Sequence, residues 1–431
     1  MKQTHLKKAA AAALSLLMAL AAFSGCSSPE SGPQLSARDL TAGVARGDTA
    51  VDYDFSEQTE LPQAYEKFTE AVSEFSASLL RKTEEEGQNT LLSPVSAYFT
   101  LAMLQNGAQG GTLKEMKNLL GGGVVSAENI NACSNYLRQR LTAFNKEDGS
   151  LQIANSLWMR DGLDVSRSFL QKNADFFDAG IFSADFSSPN AAKDMNAWTN
   201  HHTNGLIDSI VSKTTEDSAL YLLNALYLED LWATEYKSSN VKDGDFHLAD
   251  GSVQTASFLH GSERYIHSEN AQGYVKNLKN LPCRFAAVLP NEGTSLSDYI
   301  ASLDEKELST LFSSMTATDF AQVSTPAFSF DYDTSLNKAL QSLGMKQAFT
   351  GEADFSKISP EGLTLSDVVQ KTHIELGPQG VKAGAATKAE VNLSAAVTEH
   401  SVVLDRPFLF LIVDNESNLP VFIGALYSPA G

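Results

Sequence analysis

The sequence predicts one large α+β domain carried behind an export signal and a tether. Three observations lead there. Some stretches repeat their apolar residues at helical spacing, and others alternate with strand parity. The chain of 431 residues is 43% hydrophobic and 19% charged, ordinary values for a protein with a sizeable core. After residue 61 no repeat and no second linker interrupts it, so one domain is expected although the length alone suggests two or three. This composition excludes a wholly disordered, collagen-like or coiled-coil chain. The net charge of −20, from 32 basic and 52 acidic residues, repels phosphate backbones, so no nucleic-acid partner is expected. Three cysteines exclude a disulfide-dense scaffold.

The chain opens with Lys2, Lys7 and Lys8 before an apolar run over residues 9–23, then Phe23-Ser24-Gly25-Cys26. A basic start, a short apolar segment and small residues before a cut mark residues 1–25 as an export signal, too short for a membrane-spanning helix. Cys26 directly after Ser-Gly resembles a bacterial lipobox, in which that cysteine is lipidated and becomes the new N-terminus. The alternative is a plain secretory signal with an incidental cysteine. Acyl chains on Cys26 imply an extracellular protein anchored to the outer side of a bacterial membrane. Removing the signal removes three lysines and no acid, leaving 29 basic residues against 52 acidic and a charge of −23. Residues 26–61, rich in Ser, Pro, Gly, Asp and Thr, are expected to be the lipidated cysteine and a flexible tether. The folded domain is expected over residues 62–431.

Tyr65, Phe68, Val72, Phe75 and Leu79 step by three and four, an amphipathic helix ending near Gly87. Ser93-Pro94 starts the next, with Ser as cap, Pro in the first turn and an apolar face of Phe99, Ala102 and Met103. Leu151, Ile153, Leu157 and Met159 share one strand parity, and Ser188-Pro189 opens a further helix. Residues 221–228 are apolar apart from Asn224, a strand buried on both faces. Further strands are expected over 285–289, 323–330 and 368–376. Residues 402–413 and 420–426 flank the turn 414–418 as an antiparallel pair. Cys133 and Cys283 are expected to be buried free thiols.

Signs of an enzyme are missing: there is no His-Glu-x-x-His, Cys-x-x-Cys, Gly-x-Ser-x-Gly or P-loop pattern. No metal site and no cofactor is expected. His201 and His202 are adjacent helical positions about 100° apart, which suits a helix end better than a shared metal. Asp331-Tyr332-Asp333 resembles the start of an EF-hand loop, but Leu336 sits where that loop needs Gly. Gly121-Gly122-Gly123 is expected to stop a helix.

The segment from Gly380 to Arg406 is long for a connection inside a compact domain. One parity of its first half reads Val381, Ala383, Ala385, Thr387, Ala389, Val391, Leu393; the other reads Lys382, Gly384, Ala386, Lys388, Glu390, Asn392. The first set is small or apolar, and the second carries every charge, as in a strand with one buried face. Two readings are open: an ordinary strand, or a segment exposed in one state and inserted in another. Small residues suit the second, because a strand entering a preformed gap meets less steric resistance.

At this point the chain resembles the serpin family. Residues 89–96 (Asn-Thr-Leu-Leu-Ser-Pro-Val-Ser) with Asn106-Gly107-Ala108 and Thr112 are similar to the family's helix B region. Ala154-Asn155-Ser156-Leu157, Asp185-Phe186 and Asn196-Ala197-Trp198 through Gly205-Leu206-Ile207 follow in family order and spacing. So do Leu223-Asn224-Ala225-Leu226-Tyr227 with Trp232, Ala353-Asp354-Phe355-Ser356, Arg406-Pro407-Phe408 and Pro420-Val421-Phe422-Ile423-Gly424. The resemblance implies three β-sheets with eight or nine helices, a metastable fold and an exposed reactive loop at about 380–406. It implies no catalysis by the chain itself. A target protease cleaves the loop and is trapped as a covalent acyl-enzyme when the loop inserts into the main sheet, the behaviour for which serpins are the named example.

Residue by residue, Gly380 matches the hinge glycine, Val381 the uncharged first insertion position, and Ala383, Gly384, Ala385, Ala386 and Thr387 the small-residue stretch of inhibitory members. Fourteen residues on from Gly380 the reactive bond falls at Ser394-Ala395; since loop lengths vary, Leu393 or Ala396 is the alternative primary residue. Small side chains there imply elastase-like or subtilisin-like serine proteases as targets. Two rivals stay open: a non-inhibitory serpin-fold binding protein, and a cross-class inhibitor of papain-like cysteine proteases, for which Leu393 suits. A monomer is expected. Three positions depart from the pattern. Pro378 replaces the usual hinge acid, Lys382 a usual acid, and Gln370 a histidine under the sheet. Gln370 is expected to form a hydrogen-bonded cluster with Ser93, Ser96 and Asn224, since an amide both donates and accepts.

Overall fold

The structure, a computed structural model, describes residues 32–45, 61–145, 149–381 and 400–430. The chain divides after Gln34, and Leu35–Gly431 forms one compact unit; of the preceding segment only residues 32–34 are described. The signal, Cys26 and the loop residues 382–399 lie outside the described residues.

The unit opens with a two-residue strand, β1 (Arg38–Asp39), then helix α1 (Leu61–Thr83), strand β2 (Thr90–Leu92) and helices α2 (Pro94–Gln105), α3 (Gly110–Gly121) and α4 (Ala127–Thr142). Strand β3 (Gly149–Arg160), helix α5 (Arg167–Phe177), strand β4 (Gly180–Ala184) and helix α6 (Pro189–His202) lead into β5 (Leu220–Leu231). Four strands follow, β6 (Val241–His247), β7 (Val253–His267), β8 (Ala271–Asn277) and β9 (Cys283–Pro290), then helices α7 (Leu296–Ser302) and α8 (Glu305–Ser313). The last part holds β10 (Phe320–Pro326), β11 (Phe328–Ser335), helix α9 (Asn337–Ser342), β12 (Leu365–Leu376), β13 (Gly380–Val381), β14 (His400–Val403), β15 (Phe408–Asp414) and β16 (Pro420–Leu426).

The main sheet runs β1-β4-β3-β5-β13-β12-β11. The other strands form a ladder β14-β10-β7-β8-β9-β15-β16-β2, with β6 beside β7. Long β7 joins two sheets edge to edge. Its first part pairs with β6 and β10, and its last four residues pair with β8. Helix α2 passes between the layers, touching β3 and β5 on one side and β16 on the other. That position explains why it is buried on every side rather than along the single apolar face expected.

Pro94 occupies the first turn of α2, but Ser93 makes no side-chain cap. Ser188 does cap α6, its hydroxyl accepting from Asn190 N. The run 323–330, read as one strand, is two strands in different sheets. Pro326 ends β10 and Ala327 donates to Ser257 O before β11 starts at Phe328. The run 402–413 likewise breaks between β14 and β15 around Arg406-Pro407, because proline cannot continue a ladder as donor. The stretch read as tether also holds structure: β1 pairs antiparallel with β4. Leu40 N donates to Ile181 O, and the Asp194 carboxylate accepts from Ser36 Oγ at 2.5 Å and Ala37 N at 2.8 Å. Leu35 and Ala37 pack beside the buried Trp158, Phe182 and Trp198, which makes residues 35–45 an edge of the domain.

Asp331 and Asp333 lie on β11, a strand and not a metal loop. His202 ends α6, its Nδ1 2.8 Å from Trp198 O and its ring stacked on Trp198. Gly122 stops α3 in the left-handed region at φ 55°. Cys133 and Cys283 are buried free thiols; burial pushes Cys133 up to about 12 and Cys283 further in the same direction. No group of metal ligands occurs among the described residues, and no described helix is long and apolar enough to cross a membrane.

Candidate functional site

The site is built on the two central strands of the main sheet. β5 and β12 run parallel and pair directly from Leu220↔Leu365 to Ala225↔Lys371. Farther along they part. β13 then stands between them, with Gly380 opposite Leu231 and Val381 between Asp230 and Leu376. In the interval, residues 226–229 of β5 and 372–375 of β12 have no described strand between them. Among the described residues the main sheet is therefore zipped at one end and wedged by two residues at the other, with no ladder between β5 and β12 in the middle.

Gly380 and Val381 form that wedge. A Cβ built on Gly380 would run into Asp230 O and lie 2.7 Å from Leu231 Cα, so only glycine permits this approach of two backbones. Val381 is 2% exposed, already seated in the sheet rather than waiting above it. The sequence reading names Val381 as the first insertion position; in the structure it is buried on β13 between Asp230 and Leu376.

The turn before the wedge, Gly377-Pro378-Gln379-Gly380, closes through Gly377 N donating to Gly380 O at 3.0 Å. Trp232 N donates to Gln379 O at 2.8 Å, Trp232 Nε1 to Gly377 O at 2.9 Å, and Tyr236 N to Pro378 O at 2.9 Å. Pro378 thus takes part through its carbonyl, and its missing N–H leaves no bond of the turn unmade. At the top of β5 the buried Asp230 carboxylate accepts from Leu231 N, Asn280 N, Asn280 Nδ2 and Leu281 N at 2.7–2.9 Å. Those four donors fix the rim on which Gly380 rests.

A buried polar cluster sits where the zipped part ends, since Gln370 and Asn224 are register partners. Gln370 Oε1 accepts from Ser93 N at 2.9 Å, and Nε2 donates to Ser93 O at 3.0 Å and Asn224 Oδ1 at 2.5 Å. Asn224 Nδ2 donates to Ser96 Oγ at 2.5 Å, Asn155 Oδ1 at 2.7 Å and Thr100 Oγ1 at 3.1 Å. The amide of Gln370 thus grips the backbone of Ser93, whose buried hydroxyl has no protein partner and does not cap α2. Ser93, Ser96, Asn224 and Gln370 are brought together. Asn155 and Thr100 complete the cluster and were not assigned to it from sequence; the only signals were a buried amide on β3 and a hydroxyl inside a wholly buried helix.

After residues 382–399 the described chain resumes at His400 on β14, which pairs parallel with β10 from Ala321↔His400 to Ser324↔Val403. The His400 ring lies flat on Tyr265 with centroids 4.1 Å apart, and its Nε2 is 3.2 Å from Asp319 Oδ1. Ala383, Gly384, Ala385, Ala386, Thr387, Ser394 and Ala395 fall outside the described residues. The segment that carries them is held at one end by the wedge in the main sheet and at the other by an edge strand of the second.

Comparison with known proteins agrees with this geometry. A sequence model of the family described as serpin (serine protease inhibitor) matches residues 70–429. A serpin-like protein of Thermococcus kodakarensis is 28% identical over 370 residues, covering 83% of this chain and 85% of its own. Serpin-Z7 of Hordeum vulgare is 30% identical over 367 residues, covering 80% and 91%. Among solved structures, the thermophilic serpin tengpin in its native state superposes with a TM-score of 0.81 at 34% identity, covering 91% of this chain and 99% of that one. The same protein in its latent state gives 0.73 at 35% identity, covering 84% and 98%. With a main sheet whose central strands part around Gly380 and Val381 and a family match over residues 70–429, the chain belongs to the serpin (serine protease inhibitor) family.

Proposed function

We propose that the protein is a suicide-substrate inhibitor of extracellular serine proteases of elastase-like or subtilisin-like specificity. The observation that carries this is the Gly380–Val381 wedge, beyond which β5 and β12 part with no strand between them among the described residues. A strand continuing from Val381 would find ladder partners on both sides, and its alternating small residues suit that space.

In this reading the protease serine attacks the carbonyl carbon of Ser394, and the Ser394–Ala395 peptide bond breaks. The new amine of Ala395 leaves with the proton delivered by the protease's own general acid, and Ser394 remains as an acyl ester on the enzyme. Cleavage frees the loop from its distal anchor at β14. Residues after Val381 then add to β5 and β12. This parts the Ala225↔Lys371 and Asn224↔Gln370 pairs in turn and draws the ester along the sheet before water can hydrolyse it. Small side chains around the bond leave a buried acid in a trypsin-like pocket unpaired, which disfavours trypsin.

The same proposal places the protein outside the cell, lipid-anchored through Cys26, with residues 1–25 removed. The test is incubation of the full chain with elastase, subtilisin, trypsin and papain, followed by boiling in detergent and mass measurement of the released peptide. The expected result is a covalent complex with elastase or subtilisin, none with trypsin, and a cut at or beside Ser394. Cleavage by every enzyme without a complex would identify a non-inhibitory binding protein. Trapping of papain alone would identify the cysteine-protease reading.

A further inference from the structure

Behind the two aromatic residues that hold the hinge turn lies a buried ion pair. Lys276 on β8 and Glu263 on β7 meet at 2.5 Å, with side chains 6% and 15% exposed. The Lys276 ammonium lies 4.2 Å from the centre of the Tyr236 ring and 5.6 Å from that of Trp232, within the range of cation–π attraction. Burial pushes the Glu263 carboxylate up, while Lys276 and the Tyr236 hydroxyl hold it down. Gly261, also on β7, makes room for this arrangement, since a Cβ there would come within 2.9 Å of Tyr236 Cε1. The pair and both rings are thus one packed group. Its outward face consists of Trp232 N, Trp232 Nε1 and Tyr236 N, which donate to the carbonyls of Gln379, Gly377 and Pro378.

A buried charge pair is a poor way to gain stability, because desolvation offsets most of the attraction. It is a good way to fix orientation, because neither charge tolerates losing its partner. We propose that Lys276 and Glu263 are positioning residues for loop insertion: they set the Trp232 and Tyr236 rings and thereby hold the hinge turn at the mouth of the parted sheet. They touch neither the loop's reactive bond nor the protease. Their effect falls on the partition of the acyl-enzyme, where a preformed turn lets insertion start at once and a loose turn leaves time for hydrolysis. This inference rests on the inhibitory reading above.

The experiment uses the full chain with subtilisin and elastase and compares wild type, Lys276→Arg and the double variant Lys276→Met with Glu263→Gln. The double variant removes both charges together at nearly constant volume, so no lone buried charge threatens folding. Stoichiometry of inhibition, rate of loop cleavage and backbone hydrogen exchange are measured on each. Wild type and Lys276→Arg are expected to match, because a guanidinium keeps the cation over the rings. The double variant should need at least three times as many inhibitor molecules per protease trapped, with loop cleavage unchanged. Its Trp232 and Tyr236 amides should exchange at least tenfold faster, with the Gln370 region unaffected. Equal stoichiometry and equal exchange in the double variant would overturn the proposal, as would a loss of protection spread over the whole chain. If wild type traps neither protease, the inhibitory reading fails by itself. The exchange at Trp232 and Tyr236 then decides whether the pair positions the turn.

Discussion

Replacing Val381 with arginine tests the insertion argument where the structure is most specific. Val381 stands between Asp230 and Leu376 with 2% of its surface exposed. Removing the valine forfeits about 1.5–3 kcal/mol of burial. A guanidinium in its place stands opposite Asp230, whose carboxylate already carries four N–H donors. An uncompensated buried charge costs about 3–5 kcal/mol. Together these exceed about 4 kcal/mol, and at about 1.4 kcal/mol per factor of ten the seated hinge becomes at least ~10³-fold rarer. Arginine there should leave the sheet, and insertion must start from an expelled hinge. Cleavage at Ser394, thirteen residues away, should proceed normally. The variant is then a substrate: titration against the most efficiently trapped protease should show cleaved inhibitor accumulating without complex. Val381→Ala, which loses only part of the burial, should still trap. Undiminished covalent trapping by Val381→Arg would refute the reasoning, because it would mean that this side chain does not need to lie in the sheet.

Further outcomes follow from the same geometry. Gly380→Ala should mimic Val381→Arg in the stoichiometry titration, because the added carbon overlaps Asp230 O; Gly377→Ala, with nothing within 4 Å of the added carbon, should behave as wild type. Asn224→Ala removes four buried hydrogen bonds and should lower the stability of the uncut protein by about 2–4 kcal/mol, read from the urea midpoint. Cleavage near Ser394 should raise the melting temperature well above that of the intact chain, whereas ordinary nicking of a loop leaves it unchanged or lowers it; identical melting curves would favour the non-inhibitory reading.

Much of the architecture was legible where one physical signal dominated. The three-and-four spacing from Tyr65 to Leu79 lies on α1, and the parity of Leu151 to Met159 lies on β3, because each element has one face against the core. Helix α2 was harder, since a helix buried on all sides shows no polar stripe. The break at Pro326-Ala327 was missed because residues on both sides are apolar or β-branched, and only tertiary pairing shows that they serve different sheets. In the polar cluster, Asn224 stood out against an apolar strand, while Gln370 came from the family resemblance, which places a histidine there. The use of Ser93 through its backbone instead of its hydroxyl could not be read from residue type. Nor could the seat of residues 35–45, where a few apolar side chains and one carboxylate, Asp194, outweigh a composition typical of a linker.

That seat has a consequence for how an anchored molecule would be displayed. β1 lies beside Phe182 and Ser183, which pair with Trp158 and Met159, which in turn face Tyr221 and Leu220 of β5. The hinge faces Asp230, nine or ten residues along the same strand, a distance of about 30 Å. The chain therefore joins the domain at the end of the main sheet remote from the hinge. Between Cys26 and Leu35 there are eight residues, a leash of at most about 30 Å. With the lipid anchor proposed above, the point of attachment and the hinge lie at opposite ends of the main sheet. A loop inserting as proposed would carry its captive along the sheet from the hinge toward the end where residues 35–45 are seated.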